Sequence, residues 1–70
     1  MSDRVYKVIE LVGTSEKSWE DAAKNAIALA SKSLRDLRIA EVSELDMQLE
    51  DNKVIAYRAK VKLSFKFEGD

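Results

Sequence analysis

Val5 to Ile27, VYKVIELVGTSEKSWEDAAKNAI, reads as a strand, a Gly-Thr-Ser turn and a capped amphipathic helix. Apolar residues fall on both parities of its first part. Val5, Ile9 and Leu11 share one, and Tyr6, Val8 and Val12 share the other. That pattern predicts a strand from Arg4 to Val12, covered on both faces for part of its length, with Gly13-Thr14-Ser15 ending it. Ser18 and Asp21 then match the short-acid form of a capping box, and Glu20 and Asp21 suit the positive end of a helix dipole. Ala22, Ala23, Ala26, Ile27, Ala30, Ser33 and Leu34 recur at helical spacing, so a helix is expected from about Ser18 to Leu34. Its inner stripe is mostly alanine and can approach a sheet closely.

Downstream, Arg38 to Glu50 reads as a second strand. Ala40 and Val42 form one apolar face, while Ile39, Leu45, Met47 and Leu49 lie on the other. The parity switch near Ser43-Glu44 is expected to be a bulge or bend. Glu50-Asp51-Asn52-Lys53 reads as a polar hairpin turn. Val54 to Glu68 is the clearest strand. Ile55, Tyr57, Ala59, Val61, Leu63, Phe65 and Phe67 alternate with Ala56, Arg58, Lys60, Lys62, Ser64, Lys66 and Glu68. The order is β-α-β-β, an α+β class, in one domain over residues 1–70.

That last strand would be roughly 45–50 Å long at about 3.3 Å per residue. A helix of about 17 residues spans only about 25 Å. One helix cannot cover such a sheet. A chain of 70 residues is also small for a stable core of its own. Both arguments point to a homo-oligomer that covers the remaining apolar surface.

The chain has no Cys and no His. Disulfides, thiolate or imidazole zinc sites and a Ser-His-Asp triad are therefore excluded. Net charge is −1, which argues against a nucleic-acid binder driven by bulk positive charge. No apolar run approaches a membrane span, and MSDRVYK lacks a signal-peptide core, so a soluble cytoplasmic protein is expected. No GxSxG, P-loop or GxGxxG motif is present, and no nucleophile-base pair is visible, so an enzyme is not expected.

Three features invite a binding role. Glu41, Glu44, Asp46, Glu50 and Asp51 gather on the second strand and its turn. They read as a solvated edge paired with Lys and Arg, or as ligands for a hard cation such as Ca²⁺ or Mg²⁺, without EF-hand spacing. Arg58, Lys60, Lys62 and Lys66 form a basic stripe, either an anion site or the cross-strand partners of those acids. Trp19, the single Trp, stands at the first helical position, where it packs as an aromatic anchor or stacks on a planar ligand.

The first strand with its Gly-Thr-Ser turn, the Ala-rich helix, the link LRDLRIAEV at 34–42 and the strand YRAKVKLSFKFEG at 57–69 together resemble the dodecin family. The resemblance runs from about Val5 to Gly69. It implies a three-stranded antiparallel sheet wrapped round one helix, twelve subunits in a hollow sphere, and flavin storage rather than catalysis. Flavin-binding members carry a Trp at the position of Ile39 and a Gln at that of Arg58. An aliphatic side chain cannot replace the stacking ring, and a guanidinium has donors but no acceptor. The resemblance therefore implies impaired or absent flavin binding at Ile39 and Arg58. Trp19 and Arg58 are shared with a subgroup that lacks the flavin Trp and includes a calcium-binding member. Glu44 keeps the carboxylate that lies near a metal in some dodecins. A non-enzymatic oligomeric binding or storage protein is expected, with Ca or Mg as the candidate metal and Glu44 as the candidate ligand against a solvated acidic face; a riboflavin or FMN storage protein and a purely structural shell are the alternatives.

Overall fold

A computed structural model describes residues 5–66. The elements run β1 (Tyr6–Ser15), α1 (Trp19–Ala30), β2 (Leu37–Glu50) and β3 (Lys53–Lys66). The sheet order is β1-β3-β2, with both pairings antiparallel. The strand with the cleanest alternation is therefore the central one. Its Ala59, Val61 and Leu63 are buried at 0–1% exposure and meet Ala22, Ala26 and Ala30 of α1. Ile9, Leu11, Ile27, Leu34 and Leu37 pack around this core. The expectations for Arg4, Phe67, Glu68 and Gly69 lie outside the described residues.

β1 does not stop at Val12. It pairs with β3 as far as Ser15↔Tyr57. Gly13 is a packing position rather than a turn, because the backbone of Ala22 lies directly on its α-carbon. The corner comes after Ser15. Its hydroxyl accepts from the Lys17 amide at 2.9 Å and donates to Asp21 Oδ2 at 2.7 Å. Val8 and Val12 remain exposed. The helix covers a single face of β1, so the cover expected on both faces is not present among the described residues.

The helix opens as read from the sequence. Ser18 is the N-cap, and its Oγ accepts from the Asp21 amide at 3.0 Å. The reciprocal arm of a capping box is replaced, since the Asp21 carboxylate is used by Ser15 instead. Ser18→Ala removes the acceptor of one orphan amide, and its expected cost is about 1 kcal/mol. Thermal unfolding at matched protein concentration should show a midpoint roughly 4–8 °C lower; an unchanged midpoint would contradict the role of the cap.

The helix closes earlier than Leu34. Ser31 is the C-cap, and Lys32 and Ser33 donate three residues back, to Leu29 and Ala30, which tightens the last turn. Asp36, at φ 59°, then redirects the chain into β2. Leu34 continued the apolar pattern because it reaches the core from this turn. The hairpin turn has Asp51 and Asn52 both at positive φ, the geometry of a two-residue type I′ turn. Asp and Asn tolerate that region better than other residues with a Cβ.

β2 is exposed along almost its whole length. Register shifts fall between Leu37 and Ile39, between Val42 and Glu44, and between Gln48 and Leu49. The second is the bulge expected near Ser43. The described residues extend over 55 × 20 × 15 Å, and α1 lies mainly against β1 and β3. No helix among them is long and apolar enough to cross a membrane.

Candidate functional site

The sheet face away from the helix carries the charged residues. Alternation along β3 puts Arg58, Lys60, Lys62 and Ser64 there, opposite Asp46, Glu44, Glu41 and Ile39 of β2. Arg58 holds Asp46 through two parallel bonds. Its Nε donates to Oδ1 and its Nη2 to Oδ2, both at 2.7 Å. This hydrogen bonding from Arg58, with the charges of Arg58 and Lys60 behind it, holds the Asp46 carboxyl below the usual carboxylate range. Lys60 Nζ meets Glu44 Oε1 at 3.2 Å. The basic stripe is thus at least partly the cross-strand partner of the acids. Both pairs are open to solvent and contribute little to stability.

The acids stay in a row along β2. Among the described residues no three carboxylates converge in a way that would hold a metal ion. Calcium takes six to eight oxygens, so the described residues of one chain do not build a cage. It presents Glu44 on its surface, with the side chain 70% exposed.

Ile39 and Arg58 are not brought together either. Ile39 is 65% exposed and faces Ser64, whose Oγ donates to the Ile39 carbonyl at 3.5 Å. Arg58 lies six residues away along β3, about 20 Å at the usual rise. A pocket using both positions requires two chains. Ile39 offers no ring, and Arg58 pairs with Asp46 at the surface.

Trp19 joins the helix to the edge strand. Its Nε1–H donates to the Asp46 carbonyl at 2.9 Å, and its ring meets Tyr57 edge-on at 5.2 Å and 71°. Trp19 thus packs within the chain, against β2 and β3. Asp46 is the residue that sequence reasoning undervalued: its carboxylate takes Arg58 and its carbonyl takes Trp19. Membership of an acidic run was its only signal.

A family model matches residues 5–68, and its description is Dodecin. The chain belongs to the dodecin family. It is 48% identical over 62 residues to the calcium dodecin of Mycobacterium tuberculosis, covering 89% of this chain and 87% of that protein. The crystal structure of that calcium-chelating dodecin, described as having a novel calcium-binding site, superposes with a TM-score of 0.83 at 45% identity over 94% of each chain. The dodecin of Streptomyces coelicolor superposes with a TM-score of 0.91 at 38% identity over the whole of both chains. The β-α-β-β subunit with three antiparallel strands and one helix is thus the dodecin fold.

Proposed function

We propose that this chain is a single-domain, non-enzymatic subunit of a dodecin-type shell of twelve, which stores or buffers a bound ion and does not hold flavin well. The observation that carries the reading is the occupation of the two pocket positions. Ile39 cannot stack, and Arg58, whose exposed guanidinium pairs with Asp46, offers donors only. The similarity to a calcium dodecin supports a hard cation, Ca²⁺ before Mg²⁺, as the alternative cargo. Glu44 is our candidate ligand. A single exposed carboxylate cannot satisfy such an ion, so copies of Glu44 from neighbouring subunits share it with water. The soluble, cytoplasmic assignment belongs to the same proposal.

The test has three arms on one preparation. Light scattering should give a mass about twelve times the 7.9 kDa chain; a monomer overturns the shell. Calorimetry with Ca²⁺ should show binding that Glu44→Ala weakens at least about tenfold, roughly 1.4 kcal/mol; equal affinity removes Glu44 from the site. Riboflavin and FMN should keep their fluorescence when the protein is added. Strong quenching would return the chain to the flavin-storing reading.

A further inference from the structure

The two ion pairs on the charged face are unlike. Asp46 takes Arg58 through two bonds at 2.7 Å, while Glu44 meets Lys60 through one contact at 3.2 Å. A guanidinium fork matches a carboxylate at two points; an ammonium is a compact point charge on a flexible stem. Glu44 is also the more open acid, its side chain 70% exposed against 52% for Asp46. Of the two carboxylates, Glu44 is the more readily exchanged.

The backbone nevertheless keeps Lys60 beside it. The bulge between Val42 and Glu44 sets Glu44 directly opposite Lys60, and Ser43 in that bulge donates from its Oγ to the Lys60 carbonyl at 3.3 Å. Lys60 is therefore a tethered cation, held near the Glu44 carboxylate at a high effective concentration. The next base on this face is placed differently. Lys62 stands between Glu10 and Glu41 in the sheet and makes no ion pair with either.

A cation that reaches Glu44 has to displace the Lys60 ammonium. A monovalent ion exchanges one unit charge for another. A divalent ion brings twice the charge and takes oxygens from several ligands at once. When that ion leaves, Lys60 can close on Glu44 again, so the emptied carboxylate is not left uncompensated.

We propose that Lys60 is the internal counter-ion of Glu44, which competes with an incoming divalent cation and holds its affinity low enough for release. The inference rests on the cation reading above and names the residue that regulates that site.

Calorimetric titration of the full chain with Ca²⁺, at matched ionic strength, tests it. Lys60→Gln removes the charge and keeps most of the stem. It should bind Ca²⁺ at least about fivefold more tightly than wild type. Lys60→Arg keeps the charge and should bind no more tightly than wild type. Lys62→Gln removes an equal charge from the same face at a greater distance, and should gain less than about twofold. If wild type binds Ca²⁺ and Lys60→Gln binds it no more tightly, the cation reading stands and the role of Lys60 is wrong. If Lys62→Gln gains as much as Lys60→Gln, only the net charge of the face matters, and the role of Lys60 is again wrong. If Lys60→Gln binds Ca²⁺ and wild type does not, the storage reading fails while the competition is upheld. If neither binds, both fall. Should Lys60→Gln lose the circular dichroism of the folded protein, Lys60→Met, which also keeps the stem, takes its place in the titration.

Discussion

Gly13→Ala is expected to remove at least about 3 kcal/mol of stability, the upper range of overpacking costs, and to prevent folding in most conditions. A Cβ at this position would run into the carbonyl oxygen of Ala22 and lie 3.0 Å from the Ala26 Cβ. The first obstacle is backbone, which cannot rotate away as a side-chain tip could. Relief requires α1 to lift from β1, and that opens the seam where Ala22 and Ala26 are buried. A chain of 70 residues has a total stability of only about 3.5–10 kcal/mol at typical per-residue values. The loss therefore takes a large share of the whole. Urea unfolding followed by circular dichroism checks it, and a wild-type midpoint would show that the helix moves more freely than its packing implies.

Leu63→Ala should cost about 2–5 kcal/mol. Leu63 and Val61 are the largest fully buried side chains, and the rest of the buried core is alanine. Alanines have no flexible atoms with which to refill a cavity, so any collapse has to come from the partly buried Ile9, Leu11, Ile27, Leu34 and Leu37 around them. The denaturation midpoint should fall with the slope unchanged, since the truncation does not alter how much surface unfolding exposes. A loss below about 1 kcal/mol would mean that α1 settles into the gap.

The β2–β3 hairpin was legible because β3 alternates without a break, whereas the pairing of β1 on its other edge, which makes β3 central, was not read from periodicity. The helix start was legible in Ser18. Its end was not, because Leu34 keeps helical spacing while sitting in a turn that still reaches the core. Gly13 misled in the other direction. Glycine signals a turn and a close approach equally, and only the place of the helix decides between them. The charged face depended on something periodicity does not carry in full. Counting back from the turn, Asp46 would meet Tyr57 and Glu44 would meet Ala59. Ile55 is an extra residue on β3, and the shift between Gln48 and Leu49 moves Asp46 onto Arg58 and Glu44 onto Lys60. The bulge at Ser43 then returns the register to its original count. The first of these bulges had no sequence signal, and the Asp46–Arg58 pair was hidden with it. Membership of the dodecin family was legible in the order and spacing of short motifs, whereas the Trp19–Asp46 link needed the helix placed over the edge strand.

The turn at Asp51-Asn52 also divides the work of folding unequally. It joins β2 and β3 through two residues, so their pairing closes almost no loop. The nearest β1–β3 pair, Ser15 with Tyr57, encloses about forty residues, and loop closure costs about 0.6 kcal/mol more for each doubling of length. The β2–β3 hairpin can therefore form as a local unit, and β1 must search for it with the helix in between. Until β1 arrives, one edge of β3 stands open. The pairing that closes the longer loop is thus also the one that covers this edge, and the strand that completes the sheet is the one that a second chain could supply in its place.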